Sequence, residues 1–533
     1  MRRFGRGLAR LALVGAAACS FDSEGQSSSN SATIASTIDP TLASGSDTTA
    51  SAEETTSSST IDPDTGCPPG NIGCPCDEDG ECHDVLSCVE NVCLSPTCGN
   101  GMKEAFEDCD DENEVDDDGC DSDCMVSQGV ARLALGSDST CVVFHSGGVR
   151  CWGNPERGKT GHGDLMQYGL VVPTNAAPSL ALGSATSKVG LGLQSSCALK
   201  VDGTIVCWGA VTLGMLGYGP AVIEDIGDTE PASTGGAVEI GGNAIDIAVG
   251  AEHVCAVRID GRVLCWGNGA NGRLGYGSVA SVGITETPAT IGPVDLGGMA
   301  ATHVTAGGAH SCALLENQEV HCWGSANNGI LGDPLLTQDL GDTMGETPAM
   351  GVKVDLGGPA IAIDAGNQHT CALLANSSVR CWGLGNNGRL GLGNTDVVGD
   401  NETPAMLPID LGGPAVQIAA GRAHTCALRM DGALLCWGNG EAGKLGSDAT
   451  MDLGDQPEEV PGMLLPVLVV NEPGVAVLSV DGGGDHTCAR LSGGRVRCWG
   501  RANQGQLGYG DAMDVGSGQR TILQAMDVPV GPA

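Results

Sequence analysis

Basic side chains are scarce in this 533-residue chain: 25 Lys and Arg stand against 65 Asp and Glu, a formal charge of −40 at pH 7. Such a charge repels phosphate backbones, which excludes a nucleic-acid platform and equally disfavours an anionic membrane surface. Aromatic residues make up 3% of the chain, too few for a base-stacking groove or a ring-lined carbohydrate cleft. No apolar run reaches the roughly 18 residues that span a bilayer. Gly-x-Ser-x-Gly, His-Glu-x-x-His and a Gly-rich phosphate loop opening a helix are all missing, so the common signatures of hydrolases, metalloproteases and nucleotide binders do not apply. The chain is therefore read as a protein without catalysis or a required cofactor. What it does have is 41% apolar residues, 85 glycines and 25 cysteines, enough for a core and too many thiols for a reducing compartment.

Residues 1–18 combine Arg2, Arg3, Arg6 and Arg10 with a short apolar run, Leu11–Ala18, that stops at Cys19. A charged n-region, a short h-region and a small-residue cut site make a secretory signal. The segment resembles a bacterial lipoprotein signal, which implies acylation of Cys19 and contact with the membrane only through that lipid. Ala16 stands where that pattern prefers Leu, and ordinary cleavage after Ala18 would instead release the chain. Residues 19–66 are rich in Ser and Thr and contain no Lys or Arg; they cannot bury enough apolar surface to fold and are read as a disordered tether. The expected location is the outer membrane or cell surface, or the medium if the lipid is not added.

Ten cysteines fall between Cys67 and Cys124. Zinc competes with disulfides as an explanation for such clusters, and an export signal favours disulfides. Residues 67–97 form a small cysteine-rich segment. In residues 98–128, Cys98-Gly-Asn-Gly-Met followed by Cys109-Asp-Asp and Asp118-Gly-Cys120-Asp-Ser-Asp-Cys124 resembles the myxococcal cysteine-rich repeat. Its crowded carboxylates read as a solvated acidic turn. The competing reading is a weak calcium site on Asp110, Asp111, Asp116, Asp118 and Asp121, although the spacing is no EF-hand.

From residue 129 to 533 the chain repeats itself. Every tryptophan belongs to a Cys-Trp-Gly triplet, at Cys151, Cys207, Cys265, Cys322, Cys381, Cys436 and Cys498, and ten residues before each stands Cys141, Cys197, Cys255, Cys312, Cys371, Cys426 or Cys488. The stretch from Cys255 to Cys265 alternates about Asp260-Gly261, as a β-hairpin does. A two-residue turn would pair Cys255 with Trp266. A three-residue loop closed by a left-handed Gly261 instead sets Val257 against Val263 and Cys255 against Cys265, about 4.5 Å apart if that pair is non-hydrogen-bonded. The second register predicts seven cross-strand disulfides, Cys141–Cys151, Cys197–Cys207, Cys255–Cys265, Cys312–Cys322, Cys371–Cys381, Cys426–Cys436 and Cys488–Cys498. Each would stabilise by roughly 3 kcal/mol on a chain-entropy argument, without adding simply. Gln318 and Ser377 replace the turn glycine in two copies and are expected to strain their loops.

Four short strands and glycine turns per repeat describe a propeller blade, so the expected fold is all-β and seven-bladed. Gly-x-x-His-Thr-Cys-Ala-Leu, Cys-Trp-Gly and Gly-x-Leu-Gly are similar to the repeats of the regulator of chromosome condensation family, which implies the same fold. Nuclear members of that family are exchange factors on a small GTPase; an exported, acidic relative meets no such partner. The first repeat lacks a Pro-led strand before it and the last lacks a hairpin after it, which predicts one blade shared between the two chain ends.

His253, His310, His369, His424 and His486 recur two places before the first cysteine. Structural hydrogen bonding is the preferred reading, and a ring of ligands around the channel the alternative. Glu230, Glu286, Glu346 and Glu402 are expected on one rim, as a solvated face rather than a cation- or partner-binding ring. Tyr218, Tyr276 and Tyr509 sit in repeated loops and are poor candidates for interface anchors. The reading is a monomeric binding or structural module whose partner is an unidentified extracellular protein or glycan. The alternative from another class is a propeller hydrolase or lyase on an extracellular polymer, which requires carboxylates or histidines that break the repeat in the channel.

Overall fold

The computed structural model describes residues 87–89, 92–94, 129–351 and 353–531. Cys19, the tether and the calcium candidates Asp110, Asp111, Asp116, Asp118 and Asp121 lie outside the described residues. Within the cysteine-rich segment, Ser87–Val89 pairs with Val92–Leu94 in an antiparallel hairpin that sets Cys88 opposite Cys93.

The repeats form seven antiparallel sheets of three consecutive strands. The innermost strands are Val130–Leu135, Thr186–Leu191, Ala244–Val249, Ala301–Ala306, Ala360–Ala365, Ala415–Ala420 and Val477–Gly482. They line a common central channel. The middle strands are buried along nearly all their length, as in His369–Leu374, because each sheet is covered on both faces by its neighbours. That is why they show little of the apolar–polar alternation of a half-exposed strand.

The hairpins adopt the three-residue loop. Val257 faces Val263 and Cys255 faces Cys265, and Gly261 has φ of 75°. All seven cysteine pairs are bonded in the structure, with Cα atoms 4.0–4.1 Å apart, slightly closer than the usual non-hydrogen-bonded pair. Gln318 and Ser377 hold the left-handed turn position with φ of 67° and 64°, a conformation costly for any residue with a Cβ.

Two expectations need correction. The fourth strand of each blade is reduced to isolated contacts with the third: a bridge at the glycine that ends the third strand in six blades, as between Gly324 and Leu340 (both bonds 2.9 Å), and one further bond near its start, as from Leu180 to Val149 (2.8 Å), Val354 to Val320 (2.9 Å) and Val528 to Val496 (2.8 Å). The predicted shared blade is not formed either. Val528 returns to its own blade and Leu180 to its own, so the first and last repeats each complete themselves. Closure instead relies on contacts between blades that recur around the ring, because a blade packed on both faces needs no borrowed strand to hide its surface.

Candidate functional site: the blade seams and the central channel

Each Trp of Cys-Trp-Gly is fully buried and bonds to the blade before it. The indole N–H of Trp208 reaches the carbonyl of Lys159 (3.0 Å), Trp266 that of Met215 (3.1 Å), Trp323 that of Arg273 (3.0 Å) and Trp382 that of Ile330 (3.1 Å). Trp437 reaches Arg389 (3.0 Å), Trp499 reaches Lys444 (2.9 Å), and Trp152 of the first blade reaches Gln506 of the last (3.0 Å). The acceptor is always the residue two before the second glycine of the Gly-x-Leu-Gly loop, or of Gly158-Lys-Thr-Gly161 in the first repeat. That glycine is required: a Cβ at Gly217 would lie 2.8 Å from the indole nitrogen of Trp266.

The histidines complete the same seams. Nε2 of His253 lies 2.8 Å from Ser311 Oγ, His310 2.8 Å from Thr370, His369 2.9 Å from Thr425, His424 2.9 Å from Thr487 and His486 2.8 Å from Thr140. The hydroxyls of Ser311, Thr425, Thr487 and Thr140 donate to the same carbonyls that accept the indoles. A hydroxyl has one proton, so it must accept from the imidazole, which fixes the Nε2–H tautomer. Burial first, and then neighbouring cations, pushes the pKa of His253 and His424 down to about 3 and of His310 and His486 to about 4; His369 is also held well below its ordinary value. These are neutral hydrogen-bonding groups inside the wall. Among the described residues no group of three or more His, Cys, Asp or Glu is placed to hold a metal ion.

The channel encloses a cavity of about 340 Å³. Its wall breaks the repeat. Opposite the first cysteine of each hairpin the inner strand carries Ala134, Gly190, Ala248, Thr305 or Ala419, except in the fifth and seventh blades, which carry Asp364 and Asp481. Asp364 accepts the backbone N–H of Ala365 (3.0 Å) and of Ala420 in the next blade (2.7 Å). Asp481 accepts Gly482 (2.8 Å) and Leu135 across the closing seam (3.0 Å). Burial raises the pKa of Asp364 to about 6; burial together with the charge of Asp364 raises Asp481 to about 8. Lys188 is ion-paired at 2.7 Å with Asp246, which also accepts the N–H of Val304 at 3.1 Å. Sequence reasoning missed these carboxylates. The available signal was Asp in Ile363-Asp-Ala-Gly366 and Val480-Asp-Gly-Gly483, where other copies have a small neutral residue.

The remaining candidates stay apart from the channel. Tyr218 hydroxyl bonds both the N–H and the carbonyl of Cys207 (both 2.9 Å), and Tyr276 and Tyr509 do the same at Cys265 and Cys498. They brace the disulfides. Glu230, Glu286, Glu346 and Glu402 are half-buried; Glu402 is shifted up by burial and by Asp400 and Asp396. His162 bonds the Cys151 carbonyl (2.9 Å) and His303 the Thr302 hydroxyl (3.2 Å), and neither joins a nucleophile.

Seven stapled blades joined by indole and imidazole latches define a closed seven-bladed β-propeller. A family model described as the RCC1-like domain matches residues 182–528, and the chain belongs to that family. It is 28% identical over 383 residues to the Ultraviolet-B receptor UVR8 of Arabidopsis thaliana, covering 70% of this chain and 78% of the receptor. It is also 28% identical over 377 residues to the human E3 ubiquitin-protein ligase HERC2, covering 70% of this chain but only 7% of the ligase. Among solved structures, human WBSCR16 matches with a TM-score of 0.54 at 20% identity, over 69% of this chain and 87% of that one. Yeast RCC1 (Prp20), solved with Kap60, matches with a TM-score of 0.53 at 18% identity, over 75% and 85%.

Proposed function

We propose that this chain is an exported, lipid-anchored propeller that binds an extracellular protein or glycan at the cell surface and has no catalytic activity of its own. The observation that carries this reading is the placement of all fourteen hairpin cysteines in buried disulfides, a design suited to an oxidising compartment. The Arg-rich leader ending at Cys19 supports export and anchoring. An exchange-factor role rests on family resemblance alone and requires retention in the cytoplasm.

The enzyme reading has one observation in its favour, the non-repeated Asp364 and Asp481 in the channel wall. Both carboxylates are engaged by backbone N–H groups of the neighbouring blade, and this favours a structural role. The test uses the full chain against surface proteins and a panel of extracellular glycans, with Asp364→Asn/Asp481→Asn in parallel. Saturable binding that survives the double substitution supports the binding module. Polymer turnover abolished by it establishes the enzyme. Labelled palmitate incorporated by the wild type and not by Cys19→Ala supports the anchor; equal incorporation in both contradicts it.

A further inference from the structure

Methionine is ordinarily a core residue, yet on this propeller nine of the eleven described methionines are exposed. Three follow the blade proline at the same place in the repeat: Met350, Met406 and Met463, exposed by 67%, 71% and 66%. Met526 lies in the corresponding segment of the last repeat and is 77% exposed. The loops that follow the third strands add Met344 at 93% and Met451 at 68%, with Met166 and Met513 less open, and Met430 stands on a hairpin turn. The two others are Met215, buried at 1% and carrying the carbonyl that accepts the Trp266 indole, and Met299, packed against the core.

The other oxidisable groups are distributed in the opposite sense. All seven tryptophans are fully buried, and the fourteen hairpin sulfurs are buried and already bonded in pairs. Oxidation of an exposed thioether costs the fold nothing, because no core contact is lost; oxidation of Met215 would put a polar sulfoxide into buried packing at the residue whose carbonyl holds a latch.

We propose that the exposed methionines are oxidant-accepting modification sites that protect the indole latches from peroxides and hypohalous acids. With hydrogen peroxide the sulfur lone pair attacks one oxygen and the O–O bond breaks. The thioether gives up two electrons to become a sulfoxide, and the second oxygen leaves as water. The modification is reversible by sulfoxide reduction. It also turns an apolar surface point into a polar one, so a blade rim can be oxidised without exposing anything apolar.

The test treats the full chain with graded hydrogen peroxide and maps sulfoxides by peptide mass spectrometry. Met350, Met406, Met463 and Met526 are expected to oxidise at least tenfold faster than Met215, with the seven hairpin disulfides and the thermal transition retained. Oxidation of Met215 at the rate of Met406 would overturn the assignment of sites. A second arm substitutes Leu at Met344, Met350, Met406, Met451, Met463 and Met526, and titrates both proteins with hypochlorous acid. The variant is expected to lose native tryptophan fluorescence at a dose at least twofold lower than the wild type. Loss at the same dose in both would overturn the protective role.

Discussion

The indole N–H of Trp152, in the first blade, donates to the carbonyl of Gln506, in the last, at 3.0 Å. The bond repeats the contact between every other pair of neighbouring blades, and Thr140 adds its hydroxyl to the same carbonyl at 2.9 Å. The seam between the first and last blades is therefore built like the seams between the others. Trp152→Phe is expected to destabilise by about 2–4 kcal/mol, from lost volume and a lost hydrogen bond, and Trp323→Phe by the same amount within about 1 kcal/mol. Urea unfolding of the two variants checks this. A markedly smaller loss for Trp152→Phe would mean that closure relies on something else.

The channel aspartates set the alkaline limb of stability. In the unfolded chain they ionise near 4, whereas in the fold Asp364 ionises near 6 and Asp481 near 8. The folded state then holds more protons than the unfolded state between these values, so stability falls as pH rises through that window. Between pH 6.5 and 8 the fall comes mainly from Asp481. Its melting temperature profile should decline across that range in the wild type and flatten in Asp481→Asn. A decline of equal size in the variant contradicts the assignment.

The histidines set the acid limb. Their pKa values are depressed by burial to about 3 for His253 and His424 and about 4 for His310 and His486, so below about pH 6.5 the unfolded chain binds protons that the fold refuses. Stability is expected to drop as pH falls from 6.5 towards 4. His424→Gln, which keeps a side-chain N–H near Thr487 without a titrating group, should reduce the slope of that drop in thermal melts. An unchanged slope would show that other groups govern it.

How much of this was legible beforehand follows from the repeat. Seven identical spacings expose any feature that every blade shares, so the hairpin register at Cys255 and Cys265 and the strain at Gln318 were readable. Features that depend on the neighbouring blade were not: nothing in Cys-Trp-Gly says that its indole reaches a carbonyl some fifty residues back. Asp364 and Asp481 were hidden for the reverse reason, since they depart from the repeat at a position that otherwise varies among small residues. The shared blade was expected because the first repeat has no Pro-led strand before it and the last has no hairpin after it, and it is absent because the returning segments of both repeats bond to their own third strands, as Leu180 does to Val149 and Val528 to Val496.

Gln318 and Ser377 occupy left-handed turn positions at φ of 67° and 64°. Relief of about 1–2 kcal/mol of Cβ strain is partly offset by the entropy of glycine. Gln318→Gly and Ser377→Gly are each expected to stabilise by about 0.5–1 kcal/mol in denaturant titrations. Destabilisation by either would show that its side chain makes a contact worth more than the strain.

The proposal of an exported propeller rests on the blade-by-blade disulfides, and its most direct test is disulfide mapping of the chain isolated from the cells that make it, with thiols blocked at lysis. The expected result is seven non-reduced peptide pairs, from Cys141–Cys151 through Cys488–Cys498, with none of the fourteen cysteines carrying the blocking group. Recovery of those cysteines as blocked free thiols, or in pairs that join different blades, would contradict the account.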